Sequence, residues 1–271
     1  MKKGIILPYR PNGERRRRSL PQDRTWGEGL QIDCGAQSNQ GRVRTSNEDC
    51  FVANSERQIF LVADGMGGHA AGEIASRMTA ERVEEILSGG ITAAGVKELL
   101  RLAVSEANTA VHETQKARAE YRGMGSTLTV LTFADGNYCI AQVGDSRAYL
   151  LRNSDLIQLT QDHSLVWPLY KSGVITKDDI ARNPRKNLIT RSIGTQSEVE
   201  ADLQCGPIME GDLFLLCSDG LTDVLMDSDI SRILLNRHTD AQGYCDLLVS
   251  AANSGGGPDN ITVVVVRLAA V

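Results

Sequence analysis

Four aspartates stand in the same local setting. Asp64 ends the apolar run Gln58–Ala63 and precedes Gly65, and Asp219 follows Asp212–Cys217 and Ser218 and precedes Gly220. Asp145 follows Gly144 between two strand-like runs, and Asp259 follows the break Gly255-Gly256-Gly257-Pro258 and opens a Val-rich run. Each carboxylate sits at a strand end beside a turn-forming residue, where glycine permits a tight turn and close approach of a ligand. Strand ends on one edge of a sheet can converge, and carboxylates grouped that way do not all stay ionised unless cations neutralise them. Oxygen donors select hard ions, Mg²⁺ or Mn²⁺, and no His pair at ligand spacing competes for Zn²⁺. Two such ions sharing one carboxylate would activate water and stabilise in-line displacement at phosphorus. Arg44 is the best-placed residue to hold the phosphate through several donors at once. The pattern suggests metal-assisted phosphoester hydrolysis. Taken singly, each aspartate reads more readily as a turn cap than as a ligand, and Glu48-Asp49 reads as a solvated loop pair.

The elements that must position these groups are legible in outline. Strand-like runs are expected at Asp33–Ala36, Phe51–Ala53, Gln58–Ala63, Thr127–Phe133, Tyr138–Val143, Ser146–Leu151, Leu156–Leu159, Asp212–Cys217 and Ile261–Leu268. A hairpin over Phe51–Ala63 would bring Asp49 and Asp64 together. Asp135-Gly136 is a hairpin turn signal. Ile74, Ala75, Met78, Val83, Ile86 and Leu87 keep helical spacing up to Gly89-Gly90. Val96, Leu99, Leu100, Ala103, Val104, Ala107 and Val111 form a second amphipathic stripe. Two more helices are expected at Asp227–Asn236 and Ala241–Ser254. Between the runs Leu156–Leu159 and Asp212–Cys217, residues 164–190 carry mixed signals, with a capping box at Thr176-x-x-Asp179, and read as a flap over a site.

The chain of 271 residues, 41% hydrophobic and 23% charged, is that of a globular protein built on aliphatic side chains. No stretch approaches the apolar length that spans a membrane, and the apolar start Ile5–Leu7 is too short for a signal sequence. A cytoplasmic location is expected. The six cysteines are scattered without a C-x-x-C pair, and Cys139 and Cys217 lie in apolar runs, where reduced thiols pack as small hydrophobes. Residues 1–28 carry eight Lys/Arg and three acids, a charge of +5, so with a net charge of −5 the remainder carries −10. These residues read as a basic, flexible extension, and residues 29–271 as one catalytic domain. An acidic body disfavours nucleic acid as a partner and disfavours a two-metal nuclease.

Several blocks together carry a family resemblance. Arg44-x-x-Asn47-Glu48-Asp49, Ala63-Asp64-Gly65-Met66-Gly67-Gly68-His69 and Met124-Gly125-Ser126-Thr127 come first. Val143-Gly144-Asp145-Ser146-Arg147, Gln161-Asp162-His163-Ser164, Ser218-Asp219-Gly220-Leu221 and Gly257-Pro258-Asp259-Asn260-Ile261-Thr262 follow. In that order the chain resembles the metal-dependent protein phosphatases of the 2C type in their bacterial form, over about residues 32–268. The resemblance implies an α+β fold, a four-layer α-β-β-α sandwich of two antiparallel sheets flanked by helix pairs. It implies that Asp64 bridges two Mn²⁺ or Mg²⁺ ions, that the Gly65 carbonyl binds one, and that Asp219 and Asp259 bind the other. Glu48 and Asp49 would act near the metals, partly through water, and Arg44 would contact the phosphate. Asp145, with Asp219, would match a third-metal site, and the flap would match residues 164–190. The implied activity is hydrolysis of phosphoserine and phosphothreonine in proteins by metal-activated water, opposing a Ser/Thr protein kinase. The alternative is an inactive phosphatase-like module that binds phosphoproteins. Met66 stands where eukaryotic members often carry a His that serves as general acid. A metal-bound water is the first candidate for that role, with His69 and His163 after it.

Overall fold

The computed structural model describes residues 30–67, 71–90, 95–236 and 239–270. The basic extension expected over residues 1–28, and His69, lie outside the described residues.

Two antiparallel sheets form the centre. The first runs β1 (Leu30–Asn39), β11 (Ile261–Ala270), β10 (Leu213–Cys217), β7 (Arg147–Arg152) and β8 (Asp155–Gln158) from edge to edge. The second runs β2 (Asp49–Asn54), β3 (Ile59–Met66), β5 (Leu128–Ala134), β6 (Asn137–Val143) and β9 (Asp202–Pro207), with the short β4 (Gly125–Ser126) paired to the end of β3. Period-two alternation decides what each strand face meets. Phe60 and Val62 of β3, Phe133 of β5, Phe214 and Leu216 of β10, and Val264 and Val266 of β11 fill the space between the sheets. Phe133 meets both Phe60 and Phe214 edge-on, with centroids 6.0 and 5.6 Å apart.

The outward faces are covered by helices. Ile59, Leu61 and Ala63 pack against α1 (Ala71–Leu87) and α2 (Val96–Ala117); the expected stripes face this core, with Ile74, Met78, Ile86 and Leu99 half-buried at its margin. Leu213, Leu215, Cys217, Val263 and Val265 pack against α5 (Asp219–Thr222), α6 (Asp227–Leu234) and α7 (Ala241–Ser254). The four-layer arrangement is the one the resemblance implied. The Asp135-Gly136 hairpin is present, both residues taking positive φ. The capping box at Thr176 and Asp179 opens α4 (Lys177–Arg182), which sits with α3 (Trp167–Lys171) inside the 164–190 segment. Val166, Trp167 and Ile180 give that segment a small core of its own.

Three features depart from the sequence expectations. β9, α3 and the four-residue α5 carry too weak a local pattern to be read, since β9 (Asp-Leu-Gln-Cys-Gly-Pro) has little apolar alternation. The first strand is longer than Asp33–Ala36, because pairing along all of β11 extends it. Cys139 is not a reduced thiol: it lies directly opposite Cys205 on β9, with Cα atoms 4.2 Å apart, and the two form a disulfide. That pairing was invisible without β9, whose register alone sets the two cysteines side by side.

Candidate metal centre and phosphate site

Strand register places the site. Asp49 opens β2 directly opposite Asp64 near the end of β3. Asp145 lies in the turn between β6 and β7, Asp219 follows β10, and Asp259 precedes β11. In antiparallel sheets those starts and ends fall on one edge, and polar bonds stitch the two sheets together there. Ser218 Oγ donates to Asp49 Oδ2 at 2.8 Å and accepts from the Thr262 N–H at 2.9 Å. Thr127 Oγ1 accepts from the Asp64 N–H at 2.9 Å and lies 2.7 Å from Ser146 Oγ.

Backbone packing explains the small residues around Asp64. A Cβ on Gly65 would lie 2.1 Å from the Gly72 carbonyl oxygen and 2.6 Å from that of Glu48. A Cβ on Gly72 would in turn strike the Glu48 carboxylate at 1.9 Å. The Gly65 N–H donates to the Glu48 carbonyl at 3.1 Å, so the strand turns without room for side chains. Asn260 closes the loop before Asp49: its amide donates to the carbonyls of Gln40 and Ser46, and its Oδ1 accepts from the Glu48 N–H.

The carboxylates are raised first by burial and then by one another's charge. Burial pushes Asp64 well above the usual carboxylate range, and the charges of Asp49, Asp219, Asp145 and Asp259 push it further. Asp219 is raised the same way by burial and by Asp145, Asp223, Asp259 and Asp49. Burial pushes Asp49 up to about 6 against the opposing hydrogen bonds of Thr262 and Ser218. It pushes Asp145 up to about 7, with Asp162 adding to the rise. Glu48 is also raised by burial, against the pull of Arg44.

Among the described residues no three His, Cys, Asp or Glu side chains close into a ready-made cage. The donor set nevertheless suits a hard cation. It is all oxygen, its charges repel one another, and the Oδ1 atoms of Asp49 and Asp219 are buried with no hydrogen-bond partner among the described residues.

Arg44 lies at the mouth, 53% exposed, with Nη2 2.6 Å from Asp259 Oδ2. Met66 closes β3 and offers no proton. His163 is buried, its Nδ1 accepting the Gly144 N–H at 3.0 Å and its Nε2 3.2 Å from Asp202 Oδ2. Both ring nitrogens are therefore occupied, which removes it as a free proton donor. Arg147 is likewise engaged, gripped by the Asp162 carboxylate at 2.9 and 2.6 Å. The 164–190 segment stands beside this edge. Lys186 pairs with Asp223 at 2.8 Å and Lys177 with Asp227. A cavity of about 250 Å³ lies between its Lys177, Ile180 and Lys186 and the residues Asp145, Asp219 and Asp223.

Among the described residues, Arg44, Glu48, Asp49, Asp64, Gly65, Asp145, Asp219 and Asp259 lie toward this one edge. Sequence reasoning missed the positioning work of Ser218, Thr262 and Asn260. They belong to the motif blocks quoted above, but no local signal says which carboxylate or loop they hold.

Comparison with known proteins agrees with this geometry. Residues 38–242 match the family model described as Protein phosphatase 2C. The serine/threonine phosphatase stp of Listeria monocytogenes is 39% identical over 236 residues, covering 85% of this chain and 93% of the relative. The crystal structure of the catalytic domain of the serine threonine protein phosphatase PstP in complex with 2 manganese ions superposes with a TM-score of 0.81 at 35% identity, covering 89% of this chain and 99% of that one. Stp1 from Staphylococcus aureus superposes with a TM-score of 0.83 at 31% identity, covering 91% and 99%. With the motif blocks in order, the four layers in place and the carboxylates at one edge, the chain belongs to the protein phosphatase 2C family.

Proposed function

We propose that this protein is a metal-dependent protein serine/threonine phosphatase that releases phosphate from phosphoserine and phosphothreonine. The observation that carries the reading is the convergence of Asp49, Asp64, Asp145, Asp219 and Asp259, each at a different strand end, on one edge of the sandwich. Asp64, the Gly65 carbonyl, Asp219 and Asp259 would hold two divalent ions, with Glu48 and Asp49 beside them. Asp145 and Asp219 would hold a third. Manganese is the ion seen with the PstP catalytic domain, and magnesium suits the same donors. Such ions, when bound, lower the pKa of water and neutralise charge on phosphoryl oxygens.

The chain's own groups do the rest. Arg44, exposed beside Asp259, clamps the phosphate with its guanidinium fork. Asp49, held by Ser218, keeps its carboxylate aimed at the same centre. The Lys177 and Lys186 ion pairs hold the flap against the body, so the phosphorylated segment of a substrate enters beside it. A Ser/Thr protein kinase is the expected opposing partner. No helix among the described residues is long and apolar enough to cross a membrane, and the cytoplasm is the proposed location.

The test is hydrolysis of a phosphothreonine peptide by metal-stripped protein before and after Mn²⁺, with phosphotyrosine peptide and duplex DNA as controls. Release from phosphothreonine alone, and only with metal, is expected. Folded protein with no turnover in Mn²⁺ or Mg²⁺ would transfer the reading to a phosphoprotein-binding module.

A further inference from the structure

His163 sits where three parts of the molecule meet. Its backbone N–H donates to the Gly144 carbonyl at 2.9 Å, and its ring Nδ1 accepts from the Gly144 N–H at 3.0 Å, so the two residues are bonded twice. An Nδ1 that accepts carries no proton, so on the neutral ring the proton is on Nε2, which lies 3.2 Å from Asp202 Oδ2 and 3.3 Å from Arg191 Nη1, where Asp202 is the group able to accept it. Asp202 is held in turn by Arg191, 2.7 Å from its other oxygen. The His163 carbonyl accepts from the Thr190 N–H at 2.7 Å, and Ser164 bridges to Ile189. These bonds close the neck of the 164–190 flap. Gly144 itself takes φ +105 and packs on Thr127, where a Cβ would lie 2.7 Å from the Thr127 side chain. Thr127 is bonded to Asp64 through both backbone and side chain.

We propose that His163 is a positioning residue, whose neutral ring, oriented by Asp202, locks the Gly144–Asp145 turn to the neck of the flap. The flap and the Asp145 carboxylate then hold one placement together. The ring acts as a bond acceptor in a fixed tautomer, touching neither substrate nor the reacting atoms. The effect on turnover rests on the phosphatase reading, whereas the structural coupling does not.

The experiment compares three variants. His163→Asn keeps an acceptor near the Nδ1 position and gives up the arm to Asp202. His163→Gln reaches toward Asp202 and gives up the acceptor for Gly144. His163→Ala loses both. Hydrogen exchange is read at the Gly144 amide and across residues 164–190, Mn²⁺ binding is measured by calorimetry, and turnover by phosphothreonine release. We expect Gly144 protection and Mn²⁺ affinity close to wild type in His163→Asn. In His163→Gln we expect Gly144 exchange and the weakest Mn²⁺ site to worsen about tenfold, the factor that follows from one lost hydrogen bond. kcat should fall with them while KM for the peptide changes less. If the Asn and Gln variants are indistinguishable, or if every effect scales with melting temperature alone, the proposal is overturned. Should the Ala variant fail to fold, the Asn and Gln pair still decides. Absence of turnover in wild type would refute the phosphatase reading, and the exchange and metal-binding results would still judge His163.

Discussion

Asp64→Asn is the most informative single perturbation. Asp64 faces Asp49 across β2 and β3, and the charges of Asp219, Asp145 and Asp259 bear on it as well. Side chains directly opposite on paired strands stand about 5 Å apart, and two unit charges at that distance in an effective dielectric near 20 repel by about 3 kcal/mol. Burial leads the rise of Asp49 to about 6 and the larger rise of Asp64, and on Asp64 the charge of Asp49 is the next cause. In metal-free protein this repulsion opposes folding, so Asn at position 64 stabilises the stripped protein by about 3 kcal/mol at pH 8. For a domain of this size that is a rise of roughly 6–12 °C in Tm.

The pH dependence follows from the direction of the shifts. The folded-state values of Asp49 and Asp145 lie above the unfolded value of 3.8, at about 6 and about 7. Folded protein therefore binds more protons than unfolded protein in that window, and stability is lost as pH rises through it. The advantage of Asn should be largest at pH 8 and small near pH 4. The assay is thermal unfolding of chelator-treated wild type and Asp64→Asn at both pH values, repeated with Mn²⁺. Added Mn²⁺ should raise the wild-type Tm and raise that of the variant much less, and the variant should lose turnover. An Asn variant that is less stable than wild type when stripped at pH 8, or a wild-type Tm indifferent to pH, would refute the account of the site as mutually repelling carboxylates.

Other perturbations test separate parts. Arg44→Ala should chiefly raise KM for phosphopeptide, since the guanidinium lies exposed at the mouth beside Asp259; steady-state kinetics with an unchanged KM would exclude it as the phosphate clamp. Ser218→Ala leaves Asp49 Oδ2 and the Thr262 N–H without their shared partner. It should cost about 1–3 kcal/mol in denaturant unfolding. The loss should be larger at pH 8 than at pH 5, because that hydrogen bond favours ionised Asp49. Phe214→Ala empties the centre of the inter-sheet core, where Phe214 is fully buried between Phe133 and Tyr138. It should cost about 3–5 kcal/mol with the metal response otherwise intact.

The sequence by itself determined much of this protein. The near-continuous apolar runs Ile59–Ala63 and Ile261–Leu268 assigned strands with two buried faces, because a sheet packed on both sides leaves no polar face to interrupt the run. The stripe from Val96 to Val111 assigned α2, since helical periodicity is a local property of the chain. The aspartates beside turn glycines announced the site for the same reason: strand ends and turns are written locally.

What only the tertiary structure decided is long-range. β9 has no strong pattern of its own and exists because β6 offers it an edge, and with it come the Cys139–Cys205 disulfide and the Asp202 contact to His163. Ser218 and Asn260 are ordinary polar residues in sequence. They become the supports of Asp49 and the Glu48 loop only when β10 and β11 lay them beside β2, more than 160 residues away along the chain. His163 read as a spare proton donor, and packing turned both of its nitrogens to structural use. Hydrogen bonds between distant segments depend on register and on how the two sheets stack, and neither is encoded in the residues next to the group that is held.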